Sequence, residues 1–179
     1  PTNARAVCAH GRILFEKGRV DEAIERYVAA LKLDSDYFDA HNNLGIALLT
    51  QKRGAEAQVA FEVAIKLKPD DPEAANNLGM LYHAVGRTEE ALKLVERAVK
   101  ERPEYADARS NFCILLASVG RFDEAISHSR EAVRLNPNHA EAHSNIGIVL
   151  YATDKAEESL REYERALQLK PAFAEAHMN

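Results

Sequence analysis

Hydrophobic and polar positions along this chain follow two nested periods. Within short stretches the apolar residues recur at i, i+3 and i+4, as Leu44, Ala47 and Leu48 or Leu78, Leu81 and Tyr82 in one kind of segment. Ala91, Leu92, Val95, Ala98 and Val99 do the same in a second kind. Such spacing paints one face of an α-helix. The two kinds of segment alternate, and the pair returns every 34 residues. Gly45 has counterparts in Gly11, Gly79 and Gly147, with Cys113 at the remaining place; Ala64 has them in Ala30, Ala98, Ala132 and Ala166; Pro69 in Pro103, Pro137 and Pro171. The pattern predicts helical hairpins at 4–37, 38–71, 72–105, 106–139 and 140–173, with a partial repeat at 174–179. One hairpin cannot bury its apolar face alone. The predicted fold class is therefore all-α, an α-solenoid of stacked antiparallel helix pairs forming a single array over 1–179.

The punctuation agrees with this division. Gly18, Gly86 and Gly120 fall between the two helices of a hairpin, where a C-cap calls for a residue that tolerates positive φ. Acidic pairs follow in the first turn of the second helix (Asp21–Glu22, Glu89–Glu90, Asp123–Glu124, Glu157–Glu158), and cations gather at its far end, in accord with the helix macrodipole. Proline closes the second helix four times. Asp71–Pro72 reads as an N-cap and the first helical residue of the next hairpin. The recurrent glycines and alanines mark points where two helix backbones approach closely.

Composition narrows the partners. With 28% charged residues and a formal net charge of −5, the chain lacks the basic excess on which phosphate-dominated binding depends, so nucleic acid is not an expected partner. Its short apolar runs fall below a membrane span. The two cysteines, Cys8 and Cys113, lie about three repeats apart, too far to bridge in an extended stack; a reducing, cytoplasmic compartment is the default that follows. Starting at Pro1 and stopping at Asn179 within a new repeat, the chain reads as a piece of a longer protein.

The residues also resemble a known family, the tetratricopeptide repeat (TPR). Its pattern asks for a large residue, Leu-Gly, Tyr, Ala, an aromatic, Ala and Pro; in 140–173 those places hold His143, Ile146–Gly147, Leu150, Ser159, Tyr163, Ala166 and Pro171. Departures are local: tryptophan is absent, Cys113 replaces glycine, Ser129 the aromatic, Asp154 the inter-helix glycine and Ser35 the first closing proline. The resemblance implies a right-handed superhelix whose first helices line a concave groove that receives a peptide or protein segment. Asparagine stands at the sixth place of the repeat as Asn43, Asn77, Asn111, Asn145 and Asn179. Amides placed once per repeat can donate to and accept from the backbone of an extended peptide, or hydrogen-bond within the stack; both readings stay open. This ladder is similar to that of the superhelix in O-GlcNAc transferases.

The second, fifth, ninth and twelfth places sketch the rest of such a groove. The second is acidic, as Asp39, Glu73, Asp107, Glu141 and Glu175. The fifth holds Cys8, Asn42, Asn76, Ser110, Ser144 and Met178, the ninth Arg12, Ile46, Met80, Ile114 and Ile148, and the twelfth Phe15, Leu49, His83, Ala117 and Tyr151. A polar, acidic face with apolar pockets suits a segment carrying Lys or Arg, although the same carboxylates also favour a helix first turn. Nothing basic converges as in the TPR clamp that grips a carboxyl-terminal tail.

Catalysis finds no residues to carry it. The chain has no Gly-rich phosphate loop, and Cys113 reads as a small buried thiol. His139 and His143, spaced i, i+4, read as a surface pair because His139 falls in a turn and no third metal ligand is near in sequence. No cofactor, no metal and no enzymatic activity are expected of this segment. The expected function is a protein-interaction module; the alternatives are the substrate-recognition arm of a glycosyltransferase and a self-assembling scaffold associating end to end.

Overall fold

The structure, a computed structural model, describes residues 3–171. Those residues form α-helices and no strand: α1 (Ala4–Glu16), α2 (Val20–Leu33), α3 (Phe38–Thr50), α4 (Gly54–Leu67), α5 (Pro72–Ala84), α6 (Thr88–Glu101), α7 (Ala106–Ser118), α8 (Phe122–Leu135), α9 (Ala140–Ala152) and α10 (Ala156–Leu169). Every odd-numbered helix begins at the first place of a repeat. The partial repeat at 174–179 lies outside the described residues.

One turn closes all five hairpins. In each, the second residue past the C-cap donates its N–H back to the carbonyl of the third residue from the helix end: Arg19 to Leu14, Arg53 to Leu48, Arg87 to Tyr82, Arg121 to Leu116 and Lys155 to Leu150, at 2.8–2.9 Å. This is the Schellman arrangement, and it needs one residue in the left-handed region. Gly18, Gly86 and Gly120 supply it with φ of 74°, 83° and 79°. Lys52 and Asp154 hold the same place at φ 58°, so the motif persists where glycine is missing.

The helix starts differ in kind. Asp71 caps α5, its Oδ1 accepting from the N–H groups of Glu73 and Ala74 at 3.1 and 3.0 Å, with Pro72 as the first helical residue. At α2, α4, α6 and α8 the N-cap is an arginine without a side-chain capping bond. Its guanidinium turns instead to the glutamate three residues on: Arg19 to Glu22, Arg53 to Glu56, Arg87 to Glu90 and Arg121 to Glu124. Helices α2, α4, α6, α8 and α10 all stop at the same repeat place. Because α2 does so with Ser35 where the others have proline, the ring is not what ends them; Asp34 holds that corner by accepting from the N–H of Asp36 at 3.2 Å.

By its packing the chain divides into two compact units, the division falling inside α5 between Leu81 and Tyr82. In the first, α1 packs on α2, α3 on α4, α2 on α3 and α1 on α3. Phe38, Ala64 and Ala74 meet there with Ile65 and Leu67 against them, which ties the start of α5 to α3 and α4. In the second, α7 packs on α8, α9 on α10, α6 on α7, α8 on α9 and α7 on α9.

In the first, second and fifth repeats the core rests on a match between the two helices. A Cβ added at Gly11, Gly45 or Gly147 would stand 2.8 Å from Tyr27, 2.5 Å from Phe61 and 2.9 Å from Tyr163, in every case against a ring carbon. The close approach expected between two backbones is thus one of helix backbone to aromatic ring. In the fourth repeat Ser129 replaces the ring and Cys113 the glycine, both fully buried, so volume has moved from the second helix to the first. Ser129 satisfies its hydroxyl by donating to the Ala142 carbonyl at 2.9 Å.

Candidate functional site

The first helices present the residues expected to form the groove. At the sixth place Asn43, Asn77 and Asn145 are partly or wholly buried and reach back to the fifth place of the preceding repeat. Asn77 Nδ2 donates to Asn42 Oδ1 at 3.3 Å, and Asn43 Nδ2 approaches Cys8 Sγ at 3.8 Å. Asn145 Nδ2 donates to both Ser110 O and Ser110 Oγ, at 3.1 and 2.9 Å, and is buried. Asn111 is half-buried. The amides of Asn43, Asn77 and Asn145 therefore act as links between successive first helices, each oriented by its contact to the repeat before.

The other expected residues separate by depth. Asn42 and Asn76 are buried; Met80 and His83 are half-buried, His83 Nδ1 lying 3.3 Å from Thr88 Oγ1. Asp39, Glu73, Asp107 and Glu141 are exposed, and Tyr151 is 70% exposed. Lys170 pairs with Glu141 at 2.8 Å and holds its carboxyl below the usual range.

His139 and His143 do not form the surface pair expected of them, since both are buried. His139 caps α9, Nδ1 accepting from the Ala142 N–H at 3.3 Å, and its Nε2 lies 2.8 Å from Asp107 Oδ1. His143 lies against α10, Nδ1 2.7 Å from Glu162 Oε2, with Nε2 3.4 Å from the Pro137 carbonyl. The same place in other repeats does the same work: His41 reaches the Ser35 carbonyl at 2.8 Å and Arg109 the Pro103 carbonyl at 2.6 Å. Each ties a first helix to the corner before it. Among the described residues no three His, Cys, Asp or Glu side chains gather as metal ligands. Burial raises the thiol pKa of Cys8 and pushes that of Cys113 up to about 11, the opposite of an activated nucleophile.

A feature the periodic reading left unplaced is an apolar pocket of about 310 Å³ between α7, α8 and α9. Cys113, Ile114, Ala117 and Phe122 form one side, Ile148 and Ala152 the other, and Asn145 reaches its wall. The available sequence signal is the twelfth place, where Ala117 is smaller than its counterparts.

Hairpins of equal length, each closed by the same turn and recurring every 34 residues, define a helical-repeat protein of the solenoid class. The model described as TPR repeat matches residues 11–52, and two described as tetratricopeptide repeat match 48–111 and 104–172. The chain belongs to the tetratricopeptide-repeat family. No curated protein matches it. Among solved structures it is similar to YrrB, a TPR protein with an unusual peptide-binding site, at 25% identity and TM-score 0.71 over 94% of this chain and 87% of that one. A MamA fragment from Desulfovibrio magneticus RS-1 shares the fold at 18% identity, TM-score 0.78, over 96% and 97% of the two chains. Another MamA structure does so at 23% identity, TM-score 0.73, over 92% and 96%.

Proposed function

We propose that this chain is a non-catalytic recognition module that holds an extended segment of a protein partner against the face carried by its first helices. The observation that carries the reading is the anchoring of the sixth-place amides. A primary amide has two N–H donors and a carbonyl acceptor. At Asn43 and Asn77 one donor points to the preceding repeat, which orients the group and leaves a donor and an acceptor on a partly exposed side chain. Groups held in place by a neighbour lose little entropy on binding, and main-chain recognition gives affinity without strict sequence choice. The exposed carboxylates of Asp39 and Asp107 favour a segment with basic side chains. Similarity to YrrB, whose structure has a peptide-binding site, supports the same class of ligand.

Binding to an array of unrelated basic and neutral peptides tests this. Asn43→Ala/Asn77→Ala is expected to weaken all peptides bound by the wild type to a similar degree, with the thermal melt showing the variant folded. Unchanged binding by the folded variant would remove the amides from recognition.

A further inference from the structure

The pocket between α7, α8 and α9 has a cause in the sequence. At the twelfth repeat place the first helices carry Phe15, Leu49, His83 and Tyr151, whereas the fourth repeat carries Ala117. The volume left unfilled, about 310 Å³, is walled by Cys113, Ile114, Phe122, Ile148 and Ala152. Water held there would find few polar partners. That size is near the lower end for ligand pockets, suited to one large side chain.

The pocket is not isolated from charge. Asp107, Ile114 and Ser118 follow each other at i, i+7 and i+11 on one stripe of α7, and Glu141, Ile148 and Ala152 repeat the stripe on α9. Each carboxylate thus lies seven residues, about 10 Å, from the pocket wall on its own helix. Glu141 is neutralised by Lys170 at 2.8 Å. Asp107, with its side chain 66% exposed, lies with Oδ1 2.8 Å from His139 Nε2 and presents its carboxyl to solvent at the pocket's approach.

We infer that this pocket takes a bulky apolar side chain, Leu, Met or Phe, of the bound protein segment, and that Asp107 takes a Lys or Arg within about three residues of it, the span that an extended chain needs to cover 10 Å. This assignment rests on the recognition reading above and adds a specificity to it. An apolar anchor in a preformed apolar pocket contributes binding that main-chain contacts cannot, and it selects side-chain size; the carboxylate selects charge and acts at longer range.

The test uses a random dodecamer phage library panned against the whole chain, the Ala117→Phe variant and the Asp107→Lys variant. Phenylalanine already occupies the twelfth place at Phe15, and thermal melts verify that both variants fold. The wild type is expected to enrich peptides pairing a bulky apolar residue with Lys or Arg within three positions. Synthetic peptides of those sequences should bind Ala117→Phe about tenfold or more weakly, the loss expected when one large side chain can no longer be buried. Asp107→Lys should weaken them severalfold at low salt, with the difference shrinking at high salt. Enriched peptides that lack the pair, or that bind Ala117→Phe as well as wild type, overturn the pocket assignment and leave the recognition reading standing. Failure to enrich any peptide overturns both. Self-association of the wild type that Ala117→Phe abolishes, seen by light scattering, would assign the pocket to a second copy of the chain and overturn the inference.

Discussion

At the scale of single residues, backbone conformation and buried hydrogen bonds separate the repeats. Lys52 and Asp154 stand in the left-handed region that Gly18, Gly86 and Gly120 occupy in the other turns. A side chain there costs about 1–2 kcal/mol, partly offset by the smaller entropy lost on folding. Lys52→Gly and Asp154→Gly are each expected to stabilise the chain by about 0.5–1 kcal/mol, read as a higher urea midpoint; an unchanged or lower midpoint would show that the turns are unstrained. The asparagines differ in a comparable way. Asn145 makes two buried bonds to Ser110, whereas Asn43 makes a long contact to sulfur. Asn145→Ala should cost about 1–3 kcal/mol and Asn43→Ala clearly less, measured by urea denaturation. The repeat alone makes these asparagines equivalent. Their different partners are set by whether the fifth place of the preceding repeat holds cysteine, asparagine or serine.

Pairs of helices are where the exchange of volume operates. In the fourth repeat, Cys113 fills space that glycine leaves to an aromatic ring in the first, second and fifth repeats, and Ser129 takes the ring's place. Ser129→Phe alone is expected to overpack the α7–α8 contact by about 1–3 kcal/mol, in addition to losing the bond to Ala142. Adding Cys113→Gly should recover part of that loss, giving a favourable coupling of about 1 kcal/mol in a double-mutant cycle; purely additive losses would refute the pairing. Sequence reading registers Cys113 and Ser129 as two separate departures. They become one substitution only when α7 lies against α8. The same contact carries a titrating group: His128 packs edge to face on Phe112 at a centroid distance of 4.7 Å, and burial, with Arg109 beside it, holds its pKa below the ordinary value. The unfolded chain then binds more protons than the folded one between about pH 6.5 and the lower folded value, so stability present above pH 6.5 is lost as the pH falls. Urea midpoints at pH 7.5 and 5.5 should differ more for the wild type than for His128→Gln. Equal differences would mean that this histidine does not contribute.

Over the whole molecule, stability in a repeat protein is close to a sum of repeat and nearest-neighbour terms. Burial is unequal along the chain: α9 buries Ala140, His143, Asn145, Ile146 and Leu150 among others, whereas α10 buries Ser159 and Ala166 alone of its described residues. Backbone amides of α10 are expected to exchange hydrogen sooner than those of α7 and α9, and uniform protection by mass spectrometry would contradict this. The amino-acid sequence by itself determined the number, length and order of the helices and most of their turns, because helix periodicity, C-cap glycines and N-cap aspartate act within a few residues of chain. It also placed Asn43, Asn77, Asn111 and Asn145 at one repeat position. Only the tertiary structure decided what those positions do. The partner of an amide 35 residues away, the ring that a glycine admits, the burial of His139 and the hollow beside Ala117 all depend on residues brought together from different helices. Close packing makes each of them a property of the contact, which no single segment carries.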